Sequence, residues 1–342
     1  VERLIDPLNN NNTDECVKII DALQQFSLDD HNDRECRLYS IKVLTDLSIK
    51  HADMRLPLKN NKRLHDILFI SFSDLAICSF DAHLRAAALS LIATLHHIDT
   101  LLVKQAFSKS RLEDLADVVP DSSCGVFVHG MEDEAEGVRL WCVRAVFAHT
   151  LVVPATSLLG QDEGATAVVV DCIVDAFLDD AASVRLHAVK TLTSICIIHR
   201  VKLDLDRADL TLQLLVDGDV EVRRAVRKLL QVTQLDGEEG VRAAFKAMSR
   251  AHSRHPNELD DLMLAAGKIG CNHAMLIAVM VPLLLRVEKY NVPQEPRVED
   301  ANYQLVLCAI LNAVATGADT IIPHLPAFIF KQYHYMRAKY RR

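Results

Sequence analysis

Aromatic residues are scarce in this 342-residue chain, at 5%, and so are its turn-formers, 11 glycines and 10 prolines. That scarcity excludes a many-turned β protein and suits packed helices rich in Leu, Val, Ala and Ile. The nine cysteines form no CxxC pair, so a zinc site of ordinary spacing is not expected, and free, buried thiols in a reducing compartment, most of them within helical apolar patterns, are. No apolar run is long enough to span a bilayer. The most apolar one, 274–285, is short and holds Pro282, so no membrane contact is expected. Net positive charge is also missing. The formal charge is −8, which disfavours phosphate binding by the surface as a whole. There is no phosphate-binding glycine loop, no G-x-S-x-G and no H-E-x-x-H, so no catalytic residue, cofactor or small-molecule substrate is assigned. The chain opens on Val1, and is therefore expected to be a piece of a longer protein.

What is present is a repeat. An acidic loop is followed by a hydrophobic residue, an arginine and small apolar residues. The phrase runs from Asp81 through Leu84-Arg85, from Asp133 through Val138-Arg139, from Asp179 through Val184-Arg185, and from Asp217 through Val222-Arg223. A worn copy runs from Asp29 to Arg37, and successive arginines stand 48, 54, 46 and 38 residues apart. These intervals scatter around the ~40–47 residues of HEAT and armadillo units. After Val184 the apolar positions Ala188, Leu192 and Ile195 keep the 3.6-residue period of one helix face, as do Val226, Leu229 and Leu230 after Val222. Each such helix follows another apolar helix, at 168–178 or 205–216 for example, so the unit is a helical hairpin. One hairpin cannot bury both apolar faces alone, and stacking solves this. The expected fold is all-α, a HEAT/armadillo-type superhelical solenoid. A repeat array is read over 1–255 with an insertion near 104–122, and further hairpins continue it over 256–342. Helices are read near 258–270, 274–287, 300–315 and 322–340.

The loop aspartates are expected to cap the following helices. The repeated arginines are expected to pair with the aspartate of an adjacent repeat, as a ladder of Arg85, Asp133, Arg139, Asp179, Arg185, Asp217 and Arg223. Exposed pairs of this kind contribute only ~0–1 kcal/mol each, against roughly 1.5–3 for burying one Leu or Val. On that reading the core holds the fold and the ladder orients it.

Several side chains invite chemistry. His252 and His255 form an HxxH, but no third ligand completes a metal site of familiar spacing. His129 is expected to be packed or hydrogen-bonded, and Trp141 to lie at the flank of a helix whose core positions are Cys142 and Val146. Residues 223–254 carry eight Lys/Arg against three acids, and Arg242, Lys246, Arg250 and Arg254 recur every fourth residue, the first three on one helix face. This stripe reads either as a solvated face or as a docking surface for RNA or an acidic partner. Residues 113–136 hold eight acids and no Lys or Arg, which reads as solubility and capping or as a contact for a basic partner.

The stretch Ser122–Arg139, SSCGVFVHGMEDEAEGVR, is more specific than a repeat loop. It resembles the segment of the Integrator complex subunit 4 family with the form CG-x-FVHG-hydrophobic-EDE followed by VR. Asp300–Tyr303, Ile310–Ala313 and Phe330–Arg337 also resemble that family, and the likeness covers about 122–340. The resemblance implies a nuclear, non-catalytic scaffold. Its partners would be other Integrator subunits, above all two metallo-β-lactamase-fold subunits, one of them the endonuclease that cuts snRNA and other nascent RNA polymerase II transcripts. It also implies a further C-terminal region beyond residue 342 and a longer insertion in animal members. A transport or trafficking adaptor, and a HEAT-like DNA glycosylase, are the rival readings. The former gives no reason for the 122–139 stretch, and the latter fits poorly with the net charge and single tryptophan.

Overall fold

The structure, a computed structural model, describes residues 13–52, 55–56, 62–115, 117–151, 163–286 and 295–339. These are almost wholly helical, of the HEAT/armadillo type, with two short two-residue strand pairs, Arg55–Leu56 with Lys62–Arg63 and Lys202–Leu203 with Gln234–Leu235. The last residue of the expected 274–287 helix and the last of the expected 322–340 helix lie outside the described residues.

The chain forms two compact units, 1–191 and 192–342. The first contains α1 (Thr13–Leu28), α2 (Arg34–Lys50), α3 (Leu64–Cys78), α4 (Ala82–Ile92), α5 (Thr100–Ala106), α6 (Val126–Met131), α7 (Glu136–Leu151), α8 (Glu163–Asp175) and the start of α9 (Ala182–His199). Here α1 packs on α2 and α3 on α4. The arginine-bearing helices stack in a row of their own, with α4 against both α2 and α7. The core follows the apolar period: Leu44, Leu68, Phe72, Leu89, Ile92, Phe127, Val138 and Val146 are all fully buried. Each contributes roughly 1.5–3 kcal/mol. Val184 and Ala188 of α9 are buried likewise.

The second unit contains the end of α9, α10 (Leu205–Gln213), α11 (Val220–Val232), α12 (Gly237–Arg254), α13 (Leu259–Asn272), α14 (Ala274–Leu284), α15 (Ala301–Ala315) and α16 (Ala327–Lys339). Its row runs α11, α13, α15, with α10 and α12 packed together. Val226, Leu229, Leu230, Ile269 and Ile310 are fully buried. The helix read at 205–216 ends in a 3-10 turn, Leu214–Val216, as does that at 168–178, where the turn is Ala176–Leu178.

The thiols do not all follow the expected pattern. Cys36 and Cys78 are exposed, because they fall off the buried faces of α2 and α3.

Candidate functional site: an arginine ladder and an exposed basic face

The four full repeat loops are built on one local device. The arginine Nη1 of the helix donates back to the carbonyls six and five residues earlier. Arg85 does so to Ser79 and Phe80, Arg139 to Asp133 and Glu134, Arg185 to Asp179 and Asp180, and Arg223 to Asp217 and Gly218, all at 2.8–3.2 Å. These carbonyls precede the helix and have no intrahelical partner, so the guanidinium satisfies them. The loop aspartate is tied to the same turn. Asp133 accepts from Ala135 N, Asp179 from Ala181 N and Asp217 from Asp219 N, at 2.8–2.9 Å. Capping thus differs from the expectation. Asp133, Asp179 and Asp217 stand three residues ahead of the helix and close an Asx turn, while Asp33, Asp81 and Asp219 are the true N-caps.

The other guanidinium edge reaches the neighbouring repeat. Arg85 Nε and Nη2 donate to Asp133 at 2.7 and 2.9 Å, and Arg139 Nε and Nη2 donate to Asp179 at 2.6 and 3.0 Å. Asp180 adds a third bond to Arg139 at 2.6 Å. In the second unit Arg223 grips not an aspartate but Glu258, with Nη2 to Oε1 at 2.6 Å. Glu258 also pairs with Arg227, whose Nη2 reaches Asp261 at 3.2 Å. Glu258 and Arg227 have no counterpart in the repeat phrase. At the first step Arg34, not Arg37, meets Asp81, at 2.9 Å, while Arg37 turns inward onto Ser27 O and Asp30.

These pairs are not the exposed ones the sequence estimate assumed. The side chains of Arg85 and Asp133 are 9% and 11% exposed, and those of Arg139 and Asp179 are 12% and 8%. Bidentate geometry and burial place them among the strong pairs. Removing one partner from such a pair costs about 3–5 kcal/mol, because a buried charge is left uncompensated. The charges respond accordingly. Hydrogen bonds to Asp133, Asp179 and Glu258 hold the Arg85, Arg139 and Arg223 guanidinium groups above their ordinary range. Burial pushes the Asp179 and Glu258 carboxyls up, but their arginines outweigh it and both stay below the usual carboxylate range.

The ladder also redraws the basic stripe. Arg223 and Arg227 are consumed by Glu258, and Arg224 pairs with Glu221, so the surplus counted over 223–254 is not all surface charge. What faces solvent on α12 is Arg242, Lys246, Arg250 and Arg254. Arg242 is paired with Glu239 at 3.1 Å. Among the described residues no carboxylate pairs with Lys246, Arg250 or Arg254. The opposite face of the helix, Val241, Ala244, Phe245 and Met248, is buried.

Three distinctive residues of the 122–139 stretch have a clear structural role. Gly125, the residue before α6, has φ +69°, which side chains rarely adopt, and a Cβ there would stand 3.0 Å from the Lys109 backbone. Phe127 is fully buried. A Cβ on Gly130 would stand 2.8 Å from Cys142 Sγ, so its hydrogen lets α7 approach. Gln105, buried and unnoticed in the sequence, organises the 104–122 segment. Its amide donates to Ser108 O and Ser110 O and accepts from Leu112 N, and its carbonyl receives Gly125 N. His129 is exposed, contrary to the packed position expected, because it lies on the outer face of α6. Trp141 is half-buried with the Arg144 guanidinium 4.9 Å over its ring, while Cys142 and Val146 fill the core. Among the described residues no group of three His, Cys, Asp or Glu is placed to hold a metal, and His252 and His255 gain no third ligand.

Compared with models of known protein families, the chain matches none. Among solved structures it is similar to a designed armadillo repeat protein, at 11% identity and TM-score 0.41 over 87% of this chain and 99% of that one. It is also similar to importin beta, at 12% identity and TM-score 0.40 over 97% of this chain and 42% of that one. Protein SIEL of Arabidopsis thaliana is 29% identical over 47% of this chain and 16% of its own length. Integrator complex subunit 4 of Homo sapiens is 29% identical over 64% of this chain, and that of Drosophila melanogaster is 24% identical over 90%. The chain spans 22% of the human protein's length and 33% of the fly protein's. A Dictyostelium discoideum relative carrying the same name is 24% identical. The chain is thus similar in sequence to Integrator complex subunit 4 proteins across animals and Dictyostelium, at 24–29% identity.

Proposed function

We propose that this chain is part of a non-catalytic, nuclear scaffold subunit of the Integrator complex. The observation that carries the reading is the similarity to subunit 4 proteins over as much as 90% of the chain. The fold supports it in kind, since helical hairpins with buried cross-repeat arginines make a stiff frame and offer broad outer faces. On this reading the array over 1–255 and the hairpins over 256–342 act together. Arg85, Asp133, Arg139, Asp179, Arg185, Asp217 and Arg223 set the rotation between repeats. The scaffold would hold other Integrator subunits, above all the metallo-β-lactamase-fold endonuclease pair, for snRNA 3′-end processing and nascent-transcript cleavage. Arg242, Lys246, Arg250 and Arg254 would contact RNA or an acidic partner. The resemblance over 122–139 and 300–337 supports the nuclease assignment, and the exposed cations of α12 support the contact.

The test is affinity purification of the full-length protein from nuclear extract with partners identified by mass spectrometry. A stoichiometric pair of metallo-β-lactamase-fold subunits is the expected result. Recovery of importins or coat proteins in their place would leave the fold standing and overturn the function.

A further inference from the structure

Between α6 and the end of α8 with its following turn lies a groove of about 480 Å³. Much of its lining is apolar, from Val128, Met131, Val168 and Leu178. Val168 is 48% exposed and Leu178 67%. Two aliphatic side chains left open on one concave surface are what an apolar anchor residue needs. The charged lining has one sign only. Glu132, Asp171, Asp175 and Asp179 border the groove, and no Lys, Arg or His does. Lys109 pairs with Glu132 and Arg139 with Asp179. Asp171 and Asp175 stand one turn apart on the exposed side of α8, where like charges oppose each other. Burial and then the Asp171 charge push the Asp175 carboxyl up. A cation placed at this pair would relieve that repulsion, whereas phosphate would add to it.

We propose that this groove docks a basic segment of a partner protein, with an aliphatic or aromatic side chain seated on Val168 and Leu178 and a lysine or arginine at Asp171 and Asp175. The proposal goes beyond the scaffold reading, because it names the chemistry of the segment and not the complex that supplies it. Binding through this site weakens with salt, since the cation meets exposed carboxylates.

The experiment places the photo-crosslinker p-benzoylphenylalanine at position 178 of the full-length protein in its native assembly. The cross-linked residue is mapped by mass spectrometry, with and without Asp171→Asn and Asp175→Asn together. All these positions are exposed, so thermal unfolding should be unchanged. The expected product is one protein segment carrying Lys or Arg within about four residues of an apolar cross-linked residue, its yield cut about tenfold by the double substitution. Cross-links to an acidic or uncharged segment, to nucleic acid, or to residues 152–162 of the same chain would overturn the proposal. So would no protein cross-link, or a yield indifferent to the double substitution. A basic segment from a protein outside Integrator would support the groove and count against the scaffold reading, so the two fail separately.

Discussion

Arg139 and Arg250 are the same residue type on helices of the same repeat architecture, yet they do opposite things. Arg139 is 12% exposed, bonds two loop carbonyls behind it, and grips Asp179 with two parallel bonds. Arg250 stands in solvent on a helix whose other face is the core. The difference lies in position. An arginine directly after the first buried residue of a helix sits under the preceding loop, where unpaired carbonyls and the next acidic loop surround it. One placed mid-helix on the polar face meets only water, or a partner. The first kind supplies rigidity and the second is free to supply recognition.

The largest expected effect breaks the inner kind. Arg139→Ala should destabilise the protein by about 3–5 kcal/mol in urea unfolding, because buried Asp179 is stranded. Adding Asp179→Ala should recover part of that loss, and a strictly additive double mutant would show that the pair is not coupled.

Gly130→Ala should cost about 1–3 kcal/mol through overpacking against Cys142. An unchanged melting temperature would show that α6 and α7 are not held as described.

Acid should sharpen the picture of the first unit. His149 has Nε2 3.0 Å from Ile92 O and rings of Phe69 and Phe127 against it. Burial lowers its pKa from 6.5 to about 4. The unfolded chain therefore binds a proton that the folded chain resists. Stability is full above pH ~6.5 and falls as pH drops from there towards 4, by about 3 kcal/mol for this group. His149→Gln should flatten that part of the profile, and an unaltered profile would assign the acid sensitivity elsewhere.

The smallest effect on stability belongs to the outer kind. Arg242, Lys246 and Arg250 reversed together to Glu should shift unfolding by no more than about 0.5 kcal/mol, while weakening one contact of the purified complex. Unchanged recovery of every partner would assign the stripe to solvent.

The repeat and its core were legible because they rest on local periodicity. Val138, Val184 and Val222, each preceding a repeat arginine, are all fully buried. Of the ladder, the Arg85–Asp133 and Arg139–Asp179 rungs were legible from the phrase. Glu258 sits in a 3-10 turn with Pro256, and its longer side chain bridges Arg223 and Arg227. The acids that follow it, Asp260 and Asp261, lead to no hydrophobic-arginine pair, so the repeat phrase does not mark this turn. The same tertiary pairing is why a count of cations over 223–254 overstates the surface charge. Gln105 was illegible for a related reason, since its partners are backbone groups of an irregular segment. Exposure of the aspartate–arginine pairs could not be read at all. Burial depends on how closely one hairpin stacks on the next, and the side-chain pattern of a single loop does not encode it.

The contrast between the two kinds of arginine is tested most directly by urea unfolding of Arg139→Ala and Arg250→Ala side by side. The account predicts a loss of about 3–5 kcal/mol for the first and less than about 0.5 for the second. Equal losses, or a larger one for Arg250→Ala, would contradict it.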